Sequence, residues 1–104
     1  MSKFLVIVPR CRPGTGKKMQ RYLDKRHVPW WHWSDDVWLL RFSEEKTTQG
    51  LRDEIMALLP KVNFLVMKFD DRQREWAGYG PEKWEEWFNT AWQGSGSKDQ
   101  EHVK

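Results

Sequence analysis

Cysteine is nearly absent from this chain. Cys11 stands alone, which excludes an internal disulfide and any zinc site built from cysteines. Long apolar runs are absent as well. None approaches the ~18 residues of a membrane-spanning helix. The opening run Phe4-Leu5-Val6-Ile7-Val8 stops at Pro9, short of the apolar region a signal peptide needs. A cytoplasmic location with no membrane partner is the expectation. Acid is scarce in the first third. Residues 1–33 carry eight basic side chains against one acid, Asp24, whereas the remainder carries ten against fourteen, so the two parts are net +7 and −4. A basic face on a mildly acidic body suits an anionic partner, of which the phosphate backbone is the common one. The plainer reading is a solvated helix face.

Tryptophan, by contrast, is in excess, with eight in 104 residues. Trp30, Trp31, Trp33 and Trp38 crowd one short segment, and Trp76, Trp84, Trp87 and Trp92 fall late. An indole buries roughly 150–250 Å², more in total than the core of one small domain requires. Part of this surface is therefore expected to serve binding or self-association.

The length fits a single domain, placed at residues 1–93, with a disordered polar tail at 94–104 marked by Gly94-Ser95-Gly96-Ser97. Phe4 to Val8 reads as a strand buried on both faces. A loop from Arg10 to Gly16 leads to a helix from about Lys17 to Arg26, with Met19, Tyr22 and Leu23 as its apolar stripe. Val28 to Trp33 reads as an edge strand, because Pro29 cannot donate to a ladder. Alternation puts Trp31 and Trp33 on one face and Trp30 and His32 on the other. After the turn Ser34-Asp35-Asp36 comes a strand from Val37 to Phe42. Thr47 or Thr48 caps a helix that buries Leu51, Ile55, Leu58 and Leu59 and ends at Pro60. Asn63 to Phe69 is a fourth strand, Asp70 to Arg74 a charged turn, and Pro81 opens a last helix with Trp84, Trp87, Phe88, Ala91 and Trp92 on one stripe. The order predicts an α+β, ferredoxin-like βαββαβ antiparallel sheet with an additional C-terminal helix. One sheet face then needs a cover, from the last helix, a partner subunit or a ligand.

The segments Trp33…Val37-Trp38-Leu39-Leu40, Leu51-Arg52-Asp53-Glu54-Ile55, Phe64-Leu65-Val66-Met67, Trp76-Ala77-Gly78-Tyr79-Gly80 and Glu86-Trp87 carry a family likeness. Over roughly residues 3–92 the chain is similar to the small SinR-like proteins. These resemble the CRISPR-associated ferredoxin-like endonuclease that acts as an integration adaptor and, more distantly, the VapD toxins. The resemblance implies the ferredoxin-like fold and a mobile-element setting. Its nuclease members carry an aspartate at the end of the first strand, where paired subunits hold a divalent metal. With the Pro13-Gly14 step aligned, Pro9 stands in that place. Proline offers a hard cation no side-chain ligand, so the resemblance implies binding without cutting.

The loop Cys11-Arg12-Pro13-Gly14-Thr15-Gly16-Lys17 sits between a strand and a helix, where anions bind. It misses the nucleotide-binding pattern, which needs Gly where Cys11 stands and Ser or Thr where Lys18 stands. It misses the cysteine-phosphatase pattern because Lys17 replaces the arginine that grips phosphate at two points. Arg10 and Arg12 would lower the pKa of a thiol beside them, yet a lone cysteine is usually a packing residue. His32 with Asp35 and Asp36 matches no ligand spacing and reads as a polar turn. The expected anion and nucleic-acid contacts are Arg10, Arg12, Lys17, Lys18, Arg21 and Lys25, and the expected aromatic interface is Trp30, Trp31 and Trp33. No catalytic residue, metal or cofactor is assigned. The expected function is a non-catalytic homodimeric module binding nucleic acid or another polyanion. A protein-interaction module, antitoxin-like or a mobile-element accessory, and a degenerate metal-dependent nuclease are the alternatives.

Overall fold

The structure, a computed structural model, describes residues 1–70, 76–80 and 82–92. Its strands are β1 (Ser2–Ile7), β2 (Trp30–Ser34), β3 (Val37–Phe42) and β4 (Leu65–Phe69). Its helices are α1 (Pro13–Lys25), α2 (Thr48–Leu58) and the short α3 (Trp84–Trp87), which widens into a π-type turn at Phe88–Trp92. The class is α+β, with one antiparallel sheet in the order β2-β3-β1-β4. The apolar run of β1 is central as expected, with Leu5 opposite Leu39 of β3 on one side and Met67 of β4 on the other. Pro29 precedes β2, which forms one edge of the sheet. Among the described residues no helix is long and apolar enough to cross a membrane.

Four element starts differ from expectation. β2 begins at Trp30 rather than Val28, since Pro29 cannot donate to the ladder, and α3 begins at Trp84, after Lys83, whose φ of 70° is not helical. α1 starts at Pro13, four residues early, because proline's fixed φ suits the first helical position and Arg12 caps it in an extended conformation. Most of the expected loop is therefore helix. β4 begins at Leu65 rather than Asn63 and forms the other sheet edge, which leaves Leu65 53% and Met67 48% exposed. The charged turn at 71–74, Pro81 and the tail at 94–104 lie outside the described residues.

The sheet separates two apolar layers. On the helix side, Phe4 and Val6 of β1 and Val8 just after it meet Met19 and Leu23 of α1 and Leu51 and Ile55 of α2, all fully buried. On the other side, Leu39, Phe88 and Trp92 form a second core with Leu5, Trp31, Trp33, Phe69, Trp76, Trp84 and Trp87 around it. The C-terminal segment is thus the cover that the open sheet face required. Phe88 is its hub, with ring centroids 5.3–6.5 Å from those of Trp33, Trp76, Trp84, Trp87 and Trp92. The pairs with Trp33, Trp84 and Trp87 are edge-on, an arrangement aromatic rings favour, and those with Trp76 and Trp92 are tilted. Lys3 belongs to this layer: it is fully buried, with Nζ 5.4 Å from the centre of the Trp92 ring. One of the eight early cations is thereby withdrawn from the surface.

Candidate functional site

The basic face is built by α1. On a helix of 3.6 residues per turn, Lys17, Lys18, Arg21 and Lys25 fall within an arc of about 100°. All four are exposed, while Met19 and Leu23 point to the core. The lone acid of this helix, Asp24, accepts a hydrogen bond from Trp30 Nε1 at 2.8 Å. Its charge is partly engaged there rather than set against the lysines.

The structure divides the six expected contacts into two groups and a singleton. Lys18, Arg21 and Lys25 line a groove of about 770 Å³ between α1 and α2, closed by Ala57 and Leu58. Arg12 and Lys17 line a smaller cleft of about 250 Å³ between the start of α1 and the β2–β3 turn. Arg10 lines neither. It adopts a left-handed backbone, φ 56°, and its N–H donates to Asp36 Oδ2 at 3.2 Å while that of Cys11 donates to Oδ1 at 2.9 Å. Two successive N–H groups of this kind are what a phosphate would seek, and here the chain's own carboxylate takes them.

Asp36 also corrects the expectation for Cys11. The thiol pKa is raised above its ordinary value of 9.0, by burial first and then by Asp36 and Asp35. Arg10 and Arg12 do not produce an activated thiolate, and Cys11 stays a neutral wall of the cleft. Among the described residues, no three His, Cys, Asp or Glu side chains converge on a point that could hold a metal ion.

Sequence reasoning missed several members of the site. Arg26 joins the larger groove, with its guanidinium 4.9 Å from the centre of the Tyr22 ring and 4.0 Å from Glu54. Tyr22 donates to Glu54, which also accepts from Lys46. The Tyr22 phenol is held protonated, by burial first and then by that carboxylate. Burial opposes the charge of Glu54, yet its bonds from Lys46 and Tyr22 prevail and its pKa is lowered. In the smaller cleft, Gln20, His32, Asp35 and Trp38 join Arg12 and Lys17. The signal for these was the hairpin itself: pairing β3 against β1 carries the β2–β3 turn back to the end of β1, beside the loop that starts α1.

The three tryptophans of the expected interface have partners within the chain. Trp30 lies on the helix side, 5.4 Å from the ring centres of both His32 and Trp38. Trp31 and Trp33 lie on the other side, 6.1 Å from Trp87 and 5.4 Å from Trp84 respectively. The alternation read from the sequence holds, and all three rings are partly buried. Compared with known proteins, the chain matches no family model, no curated protein and no solved structure.

Proposed function

We propose that this protein is a non-catalytic module that binds nucleic acid or a similar polyanion through the exposed face of α1. The observation that carries this reading is the placement of Lys17, Lys18, Arg21 and Lys25 on one arc, with Asp24 engaged by Trp30. Arg26 at the end of the helix and Arg12 at its start extend the positive track. Such a track neutralises phosphates and releases their counterions, so binding weakens steeply with salt.

The proposal includes a ferredoxin-like fold with an added C-terminal helix, a SinR-like relationship, a cytoplasmic location and a homodimer. The strand order β2-β3-β1-β4 supports the fold. Support for the homodimer lies at β4, an edge strand whose Leu65 and Met67 stay exposed next to Ile7 and Leu5. An open edge with apolar side chains is a surface for pairing with another chain.

The test is a titration of labelled oligonucleotides against the protein at two salt concentrations, with mass by light scattering. Arg21→Glu with Lys25→Glu is expected to remove two phosphate contacts. The slope of log affinity against log salt then falls by roughly 1.4–1.8. No binding by the folded wild-type protein at low salt would refute the reading.

A further inference from the structure

We infer that the cleft between the start of α1 and the β2–β3 turn seats a single unpaired nucleotide, its phosphate between Arg12 and Lys17 and its base against His32. This deepens the polyanion reading and rests on it, because Lys17 belongs to both the cleft and the basic arc.

Size argues first. The cleft measures about 250 Å³, below the roughly 300–1,000 Å³ of sites that hold drug-sized ligands. It is too small for a dinucleotide cofactor, and one nucleotide unit would fill it and extend past its open side. Charge argues next. Arg12 and Lys17 are exposed, and among the described residues neither is engaged in an ion pair. The backbone N–H groups of Arg10 and Cys11 are taken by Asp36, so a phosphate here is held by side chains.

The aromatic wall argues third. His32 stacks on Trp38, with ring centres 5.1 Å apart and an interplanar angle of 28°. Trp38 is only 1% exposed, so its indole is the floor and His32 presents the accessible ring. A base resting on His32 would extend that stack, and stacking tolerates any base because each has a π face. His32 Nδ1 is sealed from solvent and makes no hydrogen bond; Asp35 Oδ1 stands 3.9 Å away. Asp35, with its side chain 86% exposed, is free to swing. Gln20 and Asp35 then supply an amide and a carboxylate for the polar edge of a base, the groups that read exocyclic amines. A carboxylate on the rim of an otherwise cationic cleft makes poor sense for a bare phosphate and good sense for a nucleotide. In a duplex that edge is already paired, so the cleft favours single strands.

The nucleotide could be free or part of a strand, and the experiment separates these sources. Affinities are measured for a single-stranded oligonucleotide and its duplex, with the wild type, His32→Ala, His32→Phe and Arg12→Ala, each checked for folding by circular dichroism. The Trp38 indole N–H, which donates to the Asp35 carbonyl at 3.0 Å, is followed by NMR during addition of nucleoside monophosphates. The wild type is expected to prefer the single strand. His32→Ala should cost roughly 5- to 150-fold on the single strand and under about twofold on the duplex, with His32→Phe restoring the difference. Should His32→Ala fail to fold, Arg12→Ala takes its place, lowering single-strand affinity with the stack intact.

Equal binding of single strand and duplex, or a folded His32→Ala or Arg12→Ala with unchanged single-strand affinity, overturns the cleft and leaves the α1 reading standing. If no oligonucleotide binds at low salt, the α1 reading falls. The monophosphates then decide the cleft alone: a saturable Trp38 shift supports a free nucleotide as ligand, and no shift overturns the inference.

Discussion

At the scale of single residues, α1 is closed by a histidine in a conformation that glycine usually takes. His27 N–H donates to the Asp24 carbonyl at 3.0 Å and Val28 N–H to the Leu23 carbonyl at 2.9 Å. That is the Schellman pattern, and it puts the residue after the cap, His27, at φ 58°. Buried Val28 against buried Leu23 completes it. Glycine takes this conformation without the steric cost a Cβ imposes, about 1–2 kcal/mol, though it loses more entropy on folding. His27→Gly is expected to raise stability by up to about 1 kcal/mol, measured by urea denaturation; a loss would mean that the imidazole itself holds the helix end. The sequence could not announce this cap, since glycine is its usual sign. Thr47 was legible for the converse reason: a threonine before a helix is the usual N-cap, and its hydroxyl accepts from Gly50 N–H at 2.9 Å. Asp36 was not legible at all. It reaches back 25 residues to Cys11, and local patterns carry no information on such a pair.

Among the elements, α1 has three faces and each was readable to a different degree. Its apolar stripe and basic arc follow from periodicity, so both were expected. Its start was misjudged because Pro13-Gly14 serves equally as a loop signal and as a first helical turn. Its link to α2, through Tyr22, Arg26 and Glu54, joins residues of two helices whose relative placement only tertiary packing decides. That link sets a pH dependence. The Glu54 carboxyl is held below its ordinary 4.5, so near pH 4 the unfolded chain binds more protons there than the folded one. The stabilisation is then complete above that value and is lost as pH falls through the lowered one. Glu54→Gln is expected to flatten the dependence of folding stability on pH between about 3 and 5 in denaturation curves. An acid limb as steep as that of the wild type would assign the acid sensitivity to other carboxylates. Glu45 contributes in the same direction, through Lys68 and the N-terminal amine. β4 shows the opposite failure of periodicity: an apolar run reads as buried, yet an edge position leaves Leu65 and Met67 open.

For the whole molecule, the decisive fact is where the indole surface goes. Composition required a use for eight tryptophans but left open whether that use was internal. The structure turns most of the surplus into a second core on the far face of the sheet, so that the proposed binding of a polyanion rests on the basic arc of α1 and not on an exposed tryptophan patch. The glycines near the end of the chain permit this. A Cβ added at Gly78 would come within 2.8 Å of the Trp33 ring, and one at Gly80 would clash with it more severely. Trp33 is wedged between Trp84 and Phe88, with ring centres at 5.4 and 6.5 Å, and has little room to yield. Gly80→Ala is therefore expected to cost about 1–3 kcal/mol by overpacking and to loosen the C-terminal cover. Gly14→Ala is the control, because nothing lies within 4 Å of its added methyl and alanine suits a helix better than glycine. It should be neutral or mildly stabilising. Loosening the cover would bare Trp31 and Trp33, so Gly80→Ala should also associate beyond the proposed dimer, seen as a scattered mass that rises with protein concentration above that of the wild type. Its unaggregated form should still bind oligonucleotides as the wild type does, since α1 lies across the sheet from the change. A Gly80→Ala protein that stays fully stable would mean the C-terminal segment does not press on Trp33. One that loses oligonucleotide affinity at constant stability would place the binding surface on the aromatic face instead of on α1.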